Sequence, residues 1–206
     1  MGSVPEHFNA AAFFVDRHVA EGRGARTAFR FAGRAISYGD LAASVDGCAN
    51  SLAGLGVEIE QRVLLVLNDS PAFAAAFWGA VKLGAVAVPV NTLMTPQEYE
   101  VLLTDSRARV AVVEAPVAGR LLAVRHRCPS LRAVVVVGGQ GLPGTHDFDE
   151  LLAAAKPTCE PALTFADDTC YWGYTSGSTG KPKAAVHSHA HFLAAADLVG
   201  VGVFGL

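Results

Sequence analysis

The segment from Tyr174 to Lys183, YTSGSTGKPK, has a composition suited to binding a polyphosphate. Its two glycines allow backbone N–H groups to turn toward an anion, its hydroxyl side chains can donate hydrogen bonds, and its two lysines supply positive charge. It is not a Walker A loop, because no glycine lies five residues before Gly180 and Lys181 is followed by Pro182. A flexible linker of similar composition is the alternative, but the flanking YWGYT and AAVH segments are apolar, which favours a binding loop.

Three histidines, His187, His189 and His191, form the pattern H-x-H-x-H directly after this segment. On a strand the three imidazoles would lie on one face and could hold a metal ion, as in a metal-dependent hydrolase. Such a site needs further His or Asp ligands, and few residues follow. We therefore expect the histidines to straddle a turn from a strand into a helix, with His187 packed or hydrogen-bonded. The metal hydrolase stays open as an alternative function.

Short β-branched runs alternate with helical stretches along the chain, which is typical of parallel strands joined by crossover helices. The runs VLLVL, AVAVPV, VAVV and AVVVV are continuously apolar, as expected for strands that are covered on both faces. They predict an α/β fold with a layered, mainly parallel sheet. The predicted strands are Arg62–Leu67, Ala85–Val90, Arg109–Val113, Ala133–Val137 and, leading directly into the Gly/Ser/Thr segment, Thr169–Tyr174.

Local signals mark where the intervening helices begin and end. The sequence TPQE from Thr95 to Glu98 combines an N-cap hydroxyl, a first-turn proline and a capping-box glutamate. Ser70 is followed by a proline in the same way. The stretch from Leu41 to Leu55 keeps apolar residues near helical spacing and is followed by Gly56, which predicts a left-handed cap.

The composition excludes several classes of function. With 51% of its 206 residues apolar, the chain can bury a large core. A net charge of −3 provides no broad basic field for nucleic acid or for an anionic membrane surface. The apolar stretch 71–90 is divided by Lys82, Gly84 and Pro89, which predicts a buried helix running into a buried strand and not a membrane span.

The cysteines and the N-terminus indicate a reducing, cytoplasmic location. No two cysteines form a C-x-x-C pair, so we expect buried or idle thiols without a disulfide framework or a zinc site. Glu6 and Asp16 lie where a secretory signal would need a basic start and an unbroken apolar run. The four cysteines are Cys48, Cys128, Cys159 and Cys170.

The stretch from Lys156 to Pro161 has the character of a connector. We predict a first α/β subdomain over residues 1–160 and the start of a second over residues 161–206, which carries the Gly/Ser/Thr segment. The last residues, VGVFGL, contain no helix cap or turn, so the second subdomain is expected to be incomplete. Apolar surface left exposed by an incomplete sheet would favour self-association.

The nine residues TSGSTGKPK, 175–183, closely resemble the phosphate-loop motif of the ANL superfamily, which comprises acyl- and aryl-CoA synthetases, peptide-synthetase adenylation domains and luciferases. The resemblance extends over most of the chain. The segment from Pro89 to Ala108 is similar to the CoA-ligase segment ahead of that loop. The FNAA start, RVLLVLND and DFDELL are most similar to benzoate–CoA ligases, so the chain resembles the N-terminal part of such an enzyme's large domain.

The resemblance implies an AMP-forming acid–thiol ligase that uses ATP, Mg²⁺ and CoA. A carboxylate, here suspected to be an aromatic acid, would attack the α-phosphate of ATP, and the CoA thiol would then displace AMP. The β- and γ-phosphates would be held by Thr175, Ser176, Gly177, Ser178, Thr179, Gly180 and Lys183. The family usually has glycine where this chain has Ala184, which is harmless only if the φ angle there is negative.

In the resembled family, the substrate pocket, the adenine-contacting motif, the hinge and the catalytic lysine lie beyond residue 206. We therefore assign no catalytic residue and no metal ligand within this chain, and expect it to catalyse neither half-reaction by itself. A truncated, non-catalytic nucleotide-binding remnant is the second alternative function.

Overall fold

The computed structural model of the protein describes residues 4–139, 142–175, 182–203 and 205. Its strands are β1 Thr27–Phe31, β2 Arg34–Ser37, β3 Arg62–Val66, β4 Val86–Pro89, β5 Val110–Glu114, β6 Ala133–Val137, β7 His146–Asp147, β8 Thr169–Thr175 and β9 Lys183–Ser188. Its α-helices are α1 Arg17–Ala20, α2 Tyr38–Gly54, α3 Pro71–Lys82, α4 Pro96–Ser106, α5 Ala115–Leu122, α6 Phe148–Ala154 and α7 His189–Ala195. Short π-helical turns cover Ala12–Asp16 and Ala196–Val201, and a 3₁₀ turn covers Arg125–Arg127.

Seven of these strands form one sheet in the order β7-β6-β5-β3-β4-β8-β9. Neighbouring strands are parallel except for β8 and β9, which form an antiparallel hairpin. Strands β1 and β2 form a separate antiparallel pair. The α/β fold with a mainly parallel sheet is therefore confirmed, and each predicted strand lies within one residue of its predicted bounds.

Helices cover both faces of the sheet, which explains why its central strands are apolar throughout. On β3, Val63 and Leu65 pack against the cluster that contains residues of α2, α3 and α6. Leu64 and Val66 point the other way and pack against residues of α4 and α5. Because successive side chains of a strand alternate between faces, a strand covered twice needs apolar residues at every position.

The helix starts follow the sequence signals. Ser37 and Thr95 each accept a hydrogen bond from the backbone N–H three residues on, and both form complete capping boxes. Ser70 caps α3 in the same way, although without the reciprocal acid. Gly56 has a φ of +79°, as predicted for a left-handed cap after α2.

The predicted division at residues 160 and 161 stays a prediction. In the described ranges, β8 and β9 extend the same sheet as β3 and β4, through the parallel pair of Ala87 with Tyr171. The apolar stretch 71–90 is α3 followed by β4, as predicted. Within the described ranges, no helix combines the length and the apolarity that a membrane span requires.

A buried ionic cluster joins the π-helical turn Ala12–Asp16 to α2 and α3. The Lys82 ammonium donates to Asp16 at 2.9 Å and also to Asp46, and its side chain is only 3% exposed. Burial alone would lower the pKa of Lys82, but the hydrogen bonds and charges of Asp46 and Asp16 outweigh it and raise the pKa. The pKa of Asp16 is raised as well, because burial raises it more than the hydrogen bond and charge of Lys82 lower it.

The thiols behave as the sequence predicted. All four cysteines are free, and three of them are buried. Burial raises the pKa of both Cys48 and Cys170 to about 12, so these thiols are inert nucleophiles at neutral pH.

Candidate phosphate-binding site

The β8–β9 hairpin brings the two ends of the Gly/Ser/Thr segment together. In the antiparallel register Thr175 lies opposite Lys183, and the Thr175 hydroxyl donates to the Lys183 carbonyl at 3.4 Å. Both residues are exposed. Two of the predicted phosphate ligands, the Thr175 hydroxyl and the Lys183 ammonium group, thus belong to facing residues at the loop end of the hairpin.

The remaining predicted phosphate ligands lie outside the described residues. These are Ser176, Gly177, Ser178, Thr179 and Gly180. What the structure does establish is the position of the residues that flank them, at the carboxyl end of β8 and the amino end of β9.

This location agrees with a general property of α/β sheets, in which ligands bind at the carboxyl ends of parallel strands. Strand β8 runs parallel to β4, so its end shares an edge with the loops that follow β3, β4 and β5. These loops are joined to one another. Asn68 donates from its backbone N–H and its side-chain amide to Glu114, at 2.9 and 2.6 Å, and Thr92 donates to Asn68 at 3.1 Å. No local motif in the sequence pointed to these three contacts.

Ala184 fits the strand in which it lies. It pairs with Tyr174 inside β9, and among the described residues the non-glycine positions with positive φ are Ala32, Glu60 and Arg107. The φ angle of Ala184 is therefore not positive, and its methyl group is tolerated at this position.

The residue before Thr175 is anchored to a helix. The Tyr174 hydroxyl donates to the Asp105 carboxylate at 2.6 Å, near the end of α4. Burial, followed by the hydrogen bond and charge of Asp105, raises the pKa of Tyr174. Sequence reasoning missed this bond, because the two residues are 69 positions apart.

The three histidines do straddle the end of β9 and the start of α7, as expected. His187 stacks on Tyr171 with ring centroids 4.3 Å apart, and Nδ1 of His191 accepts from the backbone N–H of Ser188. His189 is fully buried, and its Nδ1 accepts from the backbone N–H of Ala10 at 3.0 Å. Burial lowers the pKa of His189 to about 4.

Each histidine thus has a packing or hydrogen-bonding role in the fold. Across the ranges that the structure describes, no group of three or more His, Cys, Asp or Glu side chains is placed to hold a metal ion. The arrangement does not favour the metal-hydrolase hypothesis.

Comparison with known proteins identifies the family to which the chain belongs. The model of the family described as AMP-binding enzyme matches residues 16–204, so the chain is a member of that family. The match includes the whole β8–β9 hairpin and the segment between its strands.

Several aryl-CoA ligases are among the similar proteins. The 4-hydroxybenzoate–CoA/benzoate–CoA ligase of Rhodopseudomonas palustris is 43% identical over 183 residues, which are 89% of this chain and 34% of that protein. The benzoate–CoA ligase of Thauera aromatica is 37% identical over 204 residues, or 98% of this chain and 38% of that protein. The crystal structure of an anthranilate CoA ligase in complex with anthranoyl-AMP matches with a TM-score of 0.93 at 34% identity, over 97% of this chain and 38% of that one.

The chain therefore spans only 34% to 38% of the length of these relatives. It corresponds to the N-terminal portion of aryl-CoA ligases, and the sequence-based expectation of an ANL-type chain is confirmed. The comparisons do not favour the non-catalytic remnant or the metal hydrolase.

Proposed function

We propose that this chain supplies the triphosphate-binding part of an ATP-dependent aryl-CoA ligase. The observation that carries the proposal is the hairpin register, in which Thr175 and Lys183 face each other across the ends of a segment rich in glycine and hydroxyl groups. Family membership and the similarity to benzoate–CoA ligases support it.

The proposed chemistry begins with attack of a carboxylate oxygen on the α-phosphate of ATP. The bond to the bridging oxygen breaks, pyrophosphate leaves, and an acyl-adenylate forms. The sulfur of CoA then attacks the acyl carbon, forms the thioester and releases AMP. Both steps develop charge on phosphate oxygens, so fixed hydrogen-bond donors and cations are the groups that the protein must provide.

Within this scheme the segment 175–183 holds the leaving pyrophosphate portion of ATP. The hydroxyls of Ser176, Ser178 and Thr179 donate to the β- and γ-phosphate oxygens, and Lys183 neutralises part of their charge. The Thr175 hydroxyl joins them by turning its proton from the Lys183 carbonyl to the ligand. Gly177 and Gly180 allow backbone N–H groups to face the anion. ATP would bind as its magnesium complex, because Mg²⁺ is usually held in part through substrate phosphates.

The carboxylate substrate is proposed to be benzoate or a hydroxylated or amino-substituted benzoate. This rests on the names of the similar proteins and not on any pocket of this chain. CoA is the proposed thiol substrate on the same ground. The cytoplasmic location and self-association stay predictions.

The test is a calorimetric titration of the chain with MgATP, tripolyphosphate and AMP. ATP and tripolyphosphate should bind, and AMP, which lacks the β- and γ-phosphates, should bind much more weakly. The variant K183M should weaken tripolyphosphate binding about tenfold or more, the expected effect of losing a charge-assisted contact.

Lys156 provides the matched control, since it is an exposed lysine in the connector after α6. The variant K156M should bind tripolyphosphate as the unmodified chain does. Equal binding by K183M and K156M would remove the proposed role of Lys183. Absence of any tripolyphosphate binding by the unmodified chain would remove the proposed function of the segment.

A further inference from the structure

The loop-proximal half of β8 takes its strand pairing, within the described sheet, from β9. On its parallel side, β8 pairs with β4 at one position, Ala87 with Tyr171. From Trp172 to Thr175, the strand partners of β8 in this described part of the sheet all belong to β9, the other arm of the same hairpin. A two-stranded hairpin by itself is only marginally stable, so contacts from outside the hairpin help to set where Thr175 lies.

A side-chain hydrogen bond joins this arm to a helix outside the hairpin. The Tyr174 hydroxyl donates to Asp105 at 2.6 Å, and Tyr174 packs with Trp172 against the same buried cluster as α4. A short hydrogen bond to a carboxylate is among the stronger contacts available to a neutral donor. Since the pKa of Tyr174 is raised by burial and by Asp105, the phenol stays protonated and remains the donor across the physiological range.

The acceptor lies on a rigid support. Helix α4 begins with a complete capping box at Thr95 and buries Leu102 and Leu103 in the core. Its last residue, Ser106, accepts at its carbonyl from the Arg62 side chain at the start of β3. Asp105 is thereby held relative to the central strand of the sheet.

We infer that Tyr174 and Asp105 form a positioning pair that sets where β8 places Thr175 against the bound phosphates. The inference rests on the proposed function, because it assumes that this segment binds phosphate. The contacts that we assign to the pair are with the protein and not with the nucleotide. Their contribution is to hold the donors in one place before the ligand arrives, so that binding does not have to order the hairpin.

The test compares tripolyphosphate affinity and melting temperature for Y174F, D105A and the double variant. Each single variant should weaken the Kd for tripolyphosphate about tenfold. The double variant should be no weaker than either single one, because both remove the same hydrogen bond. D105N replaces the carboxylate by a neutral amide of the same size, whose oxygen can still accept from Tyr174. Its Kd for tripolyphosphate should therefore lie within about threefold of that of the unmodified chain.

Tyr99 supplies the control for a merely structural effect. It lies on the same helix, is fully buried, and donates its hydroxyl to the Asn91 carbonyl at 3.1 Å instead of to the hairpin. The variant Y99F should lower the melting temperature and leave the tripolyphosphate Kd unchanged. If Y174F or D105A does not melt cooperatively, the test uses D105N, whose Kd for tripolyphosphate is expected to be about threefold weaker than that of the unmodified chain.

Failure of the proposed function and failure of the positioning pair give different results. If the unmodified chain does not bind tripolyphosphate, the proposed function fails and this inference fails with it. If the unmodified chain binds and Y174F, D105A and D105N all bind within experimental error of it, the positioning pair alone is refuted. The pair is also refuted if Y99F weakens binding as much as Y174F, since the loss would then reflect the stability of α4 only.

Discussion

Replacement of Lys82 by methionine removes the cation of the buried ionic cluster while keeping most of the side-chain volume. The ammonium lies between Asp16 and Asp46, whose side chains are 26% and 15% exposed. Without Lys82, two carboxylates share a partly buried site with no cation between them. Removing one partner of a buried ion pair costs about 3 to 5 kcal/mol. Because both acids retain some access to water, we expect about 3 kcal/mol near neutral pH.

The size of this loss should depend on pH. In the variant, the influences left on Asp16 are burial and the charges of Asp46 and Glu160, all of which raise its pKa. A carboxyl whose pKa is higher in the folded than in the unfolded chain binds more protons when folded, so stability falls as pH rises. The deficit of K82M relative to the unmodified chain should therefore be largest at neutral pH and smaller near about pH 5.5, where protonation of Asp16 removes one of the unpaired charges.

Urea unfolding followed by circular dichroism, at about pH 7.5 and about pH 5.5, measures both quantities. The exposed-lysine variant K156M should unfold like the unmodified chain at both values. The triple variant D16N/D46N/K82M should recover much of the loss, because no unpaired charge remains. A loss below about 1 kcal/mol in K82M, or a loss that does not shrink at the lower pH, would show that Lys82 does not stabilise the fold in this way.

Two further predictions concern His189 and Gly84. Burial lowers the pKa of His189 to about 4, against about 6.5 in the unfolded chain. The unfolded chain therefore binds a proton first as the pH falls, so stability is unaffected above about pH 6.5 and falls by on the order of 2 kcal/mol as the pH approaches 4. H189N places an amide oxygen near the position of Nδ1 and should flatten the pH dependence of unfolding over that range; an unchanged slope would contradict this. Gly84 has a φ of +76°, and a Cβ there would lie 2.7 Å from Ile59 Cγ1, so G84A should lose on the order of 2 to 3 kcal/mol in urea unfolding. The control G54A, at a helical position where a Cβ meets nothing within 4 Å, should be neutral or stabilising, and equal stability of the two variants would be the contrary result.

The elements that sequence reasoning predicted well are those determined by neighbouring residues. The capping boxes at Ser37 and Thr95 form because donor and acceptor are three residues apart, so local chemistry is sufficient. The apolar runs of β3 to β6 were equally clear, since burial on both faces leaves polar residues only at the strand ends. Phosphate binding by residues 175–183 was likewise inferred from local composition, and it stays a prediction.

The contacts that sequence reasoning missed join residues far apart in the chain. Lys82 was visible only as an interruption of an apolar run, and its partners lie 66 and 36 positions away. The Tyr174–Asp105 bond and the Asn68–Glu114 bonds depend on the order of strands in the sheet, which periodicity does not determine. Strand order follows from packing of the whole sheet, so these contacts became visible only in the structure.

Binding of the ATP phosphates by the segment 175–183 is tested most directly by amide NMR of the isotope-labelled chain during titration with tripolyphosphate. We expect saturable shifts concentrated on residues 175–183, with Lys183 among the most affected and Lys156 unaffected. Shifts confined to another part of the chain, or no saturable shift at all, would contradict phosphate binding by this segment.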